Sequence, residues 1–222
     1  DELEIREGRL KQQAELLYRK HEKYWQAVDK NDVALAFGHA ADVVVLAAWR
    51  QDAEALNEEY CRYLQRRHRA GADTPWFAGQ IIMIARNDYT LEVFNGDIGL
   101  IMPDAESANG LAAYFPNADG FKKIAISRLP QFDSAFAMTV HKSQGSEYRE
   151  VWLLPPSGKI EQGGDDALSG LNNALLYTAI TRARELFVFW GNEEQWRMAV
   201  ETRKTRRTAL GEILDTMFGS KA

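Results

Sequence analysis

The spacing of apolar and polar residues changes several times along the chain, and each change predicts a different kind of element. Residues 10–28 repeat apolar positions at helical intervals and include Tyr18, Tyr24 and Trp25, which predicts an amphipathic helix stopped by Asn31 and Asp32. Residues 42–48 form a β-branched apolar run closed by Arg50, the pattern of a strand buried on both faces. A long helix is expected over 53–69, ended by the Gly and Pro residues of 71–75. From 79 to 128 the texture shifts to short alternating runs, at 81–85, 91–94, 98–102, 111–115 and 123–126, parted by turn residues such as Asn95-Gly96 and Asn117. Strand and helix then alternate again. Strands are expected at 136–140, 151–154 and 186–190, and Leu175, Leu176, Ala179 and Ile180 share one helical face that leaves Arg182 and Arg184 near the helix end. Residues 155–169, rich in Gly, Pro and Asp, read as a surface loop. The fold class this implies is α/β, a parallel sheet with a small β module inserted.

Composition narrows the class of protein. A hydrophobic share of 45% and a charged share of 27% are ordinary for a globular domain. There is no apolar run long enough to cross a bilayer and no basic-then-apolar leader, so membrane and secretory readings drop out and a cytoplasmic protein is expected. The single cysteine, Cys61, has no His or Cys neighbour at metal spacing and is expected to be a buried small hydrophobe. A net charge of −5 runs against a protein that grips phosphates, but the charges are unevenly placed. Acidic residues gather in 1–59 and 161–166, whereas Arg62, Arg66, Arg67, His68 and Arg69 cluster late in one helix and a second basic group runs over 203–207. Either cluster is a solvated helix face, a partner contact or a phosphate-binding surface. No carboxylate-rich cluster suggests a metal site, and nuclease chemistry is not implied.

Two stretches hold the candidate chemistry: TVHKSQGSEY at 139–148 and YTAITRAR at 177–184. The first follows an apolar run, so its polar residues open the loop at a strand end, where open α/β sheets bind ligands. Paired in this order, the two stretches resemble motifs V and VI of superfamily 1 helicases, in the 5′-to-3′ branch of the RecD type, the α subunit of exodeoxyribonuclease V (RecBCD). The resemblance extends to RNDYTLEVFNGDIGLI at 86–101 and SRLPQFDSAFAM at 127–138, and covers roughly 42 to the C-terminus. It implies a second RecA-like domain (2A) over 42–78 and 129–222, an SH3-like insertion (2B) over 79–128, and a helical segment, 1–41, leading from a first motor domain. ATP and Mg2+ would be held mainly by that first domain, because no G-x-x-x-x-G-K-[ST] loop occurs in the 222 residues. The chain, which starts at Asp1 without methionine, is accordingly expected to be the C-terminal piece of a longer protein.

The same resemblance distributes roles. Arg182 matches the arginine finger, and Arg50, by position, a motif IV arginine that also reaches the γ-phosphate; a planar, permanently charged fork suits that task. Gln144, Gly145 and Glu147, with Arg184, match the elements that face the nucleotide. A buried Glu147 paired with Arg182 or Arg184 is the structural alternative. Thr139, His141 and Lys142 match contacts to a single-strand backbone, and Arg86, Asn87 and Asn95 match nucleic-acid contacts near the insertion. Asn95-Gly96 can equally be only a hairpin turn, and Tyr89 and Phe94 either stack on bases or fill a small barrel. The partners implied are single-stranded DNA, the first RecA-like domain and, for a RecBCD member, RecB- and RecC-type subunits. Other readings are a free-standing RecD-like helicase, the helicase half of a conjugative relaxase, and a non-catalytic binding module.

Overall fold

The computed structural model describes residues 2–67, 76–157 and 171–203, with side chains from residue 6 onward. Three helices open the chain: α1 (Glu2–Lys20), α2 (Glu22–Asp29) and α3 (Val33–Ala40). The single helix expected over 10–28 is therefore broken, at the buried His21. Asp32, expected as a stop, begins the next helix instead, its carboxylate accepting from the Leu35 amide at 2.9 Å. β1 (Val43–Ala47), buried throughout, leads into α4 (Arg50–Arg66).

The chain then builds an antiparallel sheet from β2 (Gln80–Ile84), β3 (Ile98–Pro103), β4 (Leu111–Asn117), β5 (Gly120–Ala125) and β6 (Phe132–Ser134), in the order β5-β4-β3-β2-β6. This sheet runs past residue 128, where the pattern change was expected to end it. A short 3-10 turn, Ile126–Arg128, joins β5 to the segment leading into β6. The expected strand at 91–94 is absent. The Asp88 carboxylate caps the amides of Thr90 and Leu91, both at 2.9 Å, and Glu92 takes a left-handed φ of 48°, so only the isolated Asp88–Val93 bridge forms there.

β7 (Ala137–Thr139), β8 (Tyr148–Leu154) and β9 (Ala183–Phe189) complete a parallel sheet in the order β7-β1-β8-β9, with α5 (Asn173–Ile180) and α6 (Glu193–Glu201) following in the same βα alternation. Two chemically distinct sheets, one parallel and one antiparallel, confirm an α/β domain carrying a β module. Most of α1, α2 and the parallel sheet share one core, in which Trp25, Tyr60, Phe136 and Trp152 are buried. A second, smaller core of Ile82, Ile84, Val93, Ile101 and Phe115 sits inside the antiparallel sheet. Gly79 joins the two: its φ of +83° suits glycine, and a Cβ there would lie 2.4 Å from the Trp25 ring. Its carbonyl accepts the Tyr24 hydroxyl at 2.7 Å.

The late-helix basic cluster is satisfied internally where it is described. Arg62 and Arg66 both pair with the buried Glu59, and Arg67 lies over the rings of Tyr18 and Tyr63. His68, Arg69, residues 71–75, most of the 155–169 loop and residues 204–207 lie outside the described residues. Cys61 is only half-buried, and burial raises its thiol pKa.

Candidate functional site

The parallel register sets two opposite edges of one sheet. Ala47 of β1 stands opposite Thr139 of β7 and Leu154 of β8, so all three strands end together at the carboxyl edge. At the amino edge, Tyr148 opens β8 opposite Ala183, the first residue of β9. Six strand steps separate Tyr148 from Leu154, about 20 Å at the usual rise per residue. Residues 140–147 cross that distance, and the loop's two ends have different neighbours.

At the carboxyl edge lie Thr139, His141, Lys142 and Arg50. Thr139 is half-buried, and its carbonyl accepts the amides of Lys142 at 3.0 Å and Ser143 at 3.3 Å. Ser143 is fully buried and donates its hydroxyl to the Val140 carbonyl at 2.7 Å, which pins the turn from inside. This turn pushes His141 and Lys142 into solvent, so neither packs in the core. The Lys142 ammonium meets the Asp133 carboxylate of β6 at 3.0 Å. Arg50, first in α4, is exposed and gives its Nε to Glu54 at 2.6 Å. Its charged form is favoured first by that bond to Glu54 and then by the field of Asp133. Ala48, Trp49, Arg50, Gln51 and Glu54 line an open depression of about 570 Å³.

At the amino edge lie Gly145, Ser146, Glu147 and Arg182. Gly145 has a φ of +87° with open space around its α-carbon, so backbone there can be approached closely. Arg182 follows α5 directly, and its carbonyl accepts the Tyr148 amide at 2.8 Å. Its half-buried guanidinium donates to the carbonyls of Ser146 at 3.2 Å and Thr178 at 3.4 Å and to the Thr181 hydroxyl at 3.4 Å. All three acceptors are neutral, and no carboxylate among the described residues forms an ion pair with it. Burial raises the Tyr148 phenol pKa, while a Ser146 hydrogen bond and the charge of Arg182 pull it back.

The structure thus separates residues that the sequence reading combined. Arg50 and Arg182 stand at opposite edges of the parallel sheet and do not converge on a single phosphate within this chain. Gln144 is exposed between the two groups. Glu147 is exposed and pairs with neither Arg182 nor Arg184 among the described residues, so the buried-pair alternative does not hold. Arg184 is not on the helix end: the helix stops at Ile180, and Arg184 is an exposed residue of β9. Among the described residues no group of three or more His, Cys, Asp or Glu side chains is placed to hold a metal ion.

The remaining candidates, Arg86, Asn87 and Asn95, form an exposed turn outside β2. The Asn87 carbonyl oxygen is spent on the Asn95 amide at 2.8 Å, and Asp97 accepts the Phe94 amide, so part of this polarity builds the turn itself. Tyr89 and Phe94 do not fill the module's core. They pack edge to face at 6.0 Å on its surface, with Tyr89 77% exposed. The residues missed by sequence reasoning are Asn57, Ser143, Glu54 and Asp133. None carries a distinctive spacing; each acts through the partner that folding brings to it.

Residues 134–189, which carry this parallel sheet's crossing loop and the arginine at the helix–strand junction, match the family model for the UvrD-like helicase C-terminal domain. The match covers β7, β8, α5 and β9, the elements that hold both edges described above. The chain is similar to the RecBCD enzyme subunit RecD of Mycobacterium tuberculosis, 39% identical over 137 residues, covering 62% of this chain and 22% of that protein. A second RecBCD subunit RecD, from Haemophilus influenzae, is 28% identical over 198 residues, 85% of this chain and 28% of its own length. The ATP-dependent RecD2 DNA helicase of Deinococcus radiodurans is 33% identical over 135 residues, 60% and 17% of the two chains. The chain therefore spans less than a third of the length of each of these relatives.

Proposed function

We propose that this chain is the C-terminal motor domain of a cytoplasmic, ATP-dependent 5′-to-3′ DNA helicase, a RecD-like subunit of an exodeoxyribonuclease V acting in double-strand break repair. One observation carries the reading: Arg182 is a half-buried cation, held in place by neutral oxygens and left without a carboxylate among the described residues. A preorganised, uncompensated guanidinium is what a developing phosphoryl charge requires. Beside it, Gly145 and Glu147 would face the nucleotide, with Gln144 and Arg184 flanking them. At the other edge Thr139, His141 and Lys142, joined by Arg50, would meet single-stranded DNA through its phosphates. The antiparallel module would be the SH3-like insertion, adding contacts from Arg86, Asn87 and Asn95.

In this reading ATP and Mg2+ are held mainly by a partner RecA-like domain, since the chain has no phosphate loop of the G-x-x-x-x-G-K-[ST] kind. Domain closure would bring Arg182 to the γ-phosphate, and RecB- and RecC-type subunits would be the further partners. The similarity to a RecD2 helicase supports a free-standing RecD-like protein as the second reading.

The 222-residue chain tests the division of labour. It should show no appreciable ATPase and bind ATP at best weakly by isothermal titration. It should bind labelled single strands of different sequence alike, with log K falling steeply against log salt, at about −0.7 per phosphate contact. Tight ATP binding, or a sequence-selective and salt-insensitive complex, would contradict the reading.

A further inference from the structure

We propose that Asp133 is an internal counter-ion of the nucleic-acid edge, holding Lys142 until a phosphate displaces it and so setting the affinity and salt dependence of single-strand binding. The inference rests on the reading of that edge as the single-strand contact. Three observations lead to it. Asp133 belongs to β6, the last strand of the antiparallel module, yet its carboxylate reaches out of that sheet to the Lys142 ammonium at 3.0 Å. Both side chains are about one-third exposed, 36% for Lys142 and 35% for Asp133, so the pair is open to exchange with an incoming anion. The same carboxylate also acts on Arg50, the other cation of this edge.

The pairing is built rather than incidental. Asn57, two turns into the helix that Arg50 opens, donates to the carbonyls of Ser134 at 2.9 Å and Ala137 at 2.8 Å and accepts the Ala137 amide at 2.8 Å. One side chain thereby fixes the residue after Asp133 and the start of the strand that leads to Lys142. A phosphate oxygen presents the same charge and acceptor geometry to an ammonium as a carboxylate does. Binding then exchanges one ion pair for another, and Lys142 contributes only the difference. The module's exit strand is in this way coupled to the loop that grips the strand.

The test measures binding of the 222-residue chain to fluorescein-labelled oligothymidylate by anisotropy across a salt series. Asp133→Asn is expected to tighten binding by roughly three- to fivefold at low salt, the range of a partly exposed ion pair. It should also steepen the slope of log K against log salt by about 0.7, one additional phosphate contact. Asp133→Glu keeps the charge and should stay near the parent in both. Glu193→Gln, a distant exposed carboxylate on α6, controls for net charge and should change neither by as much. In a Lys142→Ala background the gain from Asp133→Asn should shrink. An Asp133→Asn effect that equals Glu193→Gln, or persists in full without Lys142, overturns the counter-ion role while leaving the edge assigned to nucleic acid. If Lys142→Ala alone leaves binding unchanged, the assignment of that edge fails and this inference fails with it.

Discussion

Asn57 shows how much a single side chain can settle. Where β6 gives way to β7 the backbone leaves one sheet and enters the other, and the usual ladder partners are missing there. The Asn57 amide supplies three hydrogen bonds in their place. Removing it strands two carbonyls and one amide, two of these bonds being fully buried, and unsatisfied buried groups of this kind cost about 1–3 kcal/mol each. Asn57→Ala should therefore lower the unfolding free energy by about 3 kcal/mol in urea denaturation, more than the loss expected for an exposed position of α4. A change within about 0.5 kcal/mol, the range of surface substitutions, would show that water replaces the amide at no cost. None of this is visible at position 57 of the sequence. An Asn inside a helical pattern reads as a weak helix former, and nothing at position 57 announces partners at 134 and 137.

Among the elements, the strands of the parallel sheet were legible and the helices in front of them only in part. Residues 43–47 and 151–154 are continuous apolar runs because both faces of the sheet are covered, so their burial is written directly in composition. The apolar run at 136–140 keeps the same texture and contains β7 with one residue to spare at each end. The break between α1 and α2 was not legible, because His21 fits a helical period and its burial comes from tertiary packing. Its Nε2 donates to the Val43 carbonyl at 3.2 Å, and its Nδ1 has no hydrogen-bond partner. Burial lowers the imidazole pKa from 6.5 to about 4, despite the opposing pull of Val43 and Asp42. The unfolded chain thus takes up a proton below pH 6.5 that the folded chain refuses until about pH 4. Stability contributed by neutral His21 is full above pH 6.5, declines between 6.5 and 4, and is gone below. The drop amounts to about 3 kcal/mol. His21→Phe should remove this part of the pH dependence in thermal melts between pH 7 and pH 4. A variant with the parent's slope would show that His21 does not titrate in that window.

At the scale of the whole molecule, the proposed function has the two edges of one sheet divide the labour. Lys142, Arg50 and Asp133 stand at the carboxyl edge, and Arg182 with Gly145 and Ser146 at the amino edge, joined by a single loop. The polar composition of that loop is plain in the sequence. Its path did not follow from composition, because the crossing depends on the register that sets Thr139 level with Ala47 and Tyr148 level with Ala183. That register is also why Arg50 parts company with Arg182. A loop with one end at the nucleotide and the other at the strand would transmit domain closure to DNA, which is the function a translocating motor needs. The most direct test is DNA-stimulated ATP hydrolysis by the full-length protein carrying Arg182→Ala. Turnover should fall by roughly 10³-fold or more, in line with arginine-finger losses, while nucleotide affinity changes far less. Arg182→Lys should fail to restore it, since an ammonium lacks the planar fork. A folded Arg182→Ala protein that hydrolyses ATP within a few-fold of the parent would contradict the account.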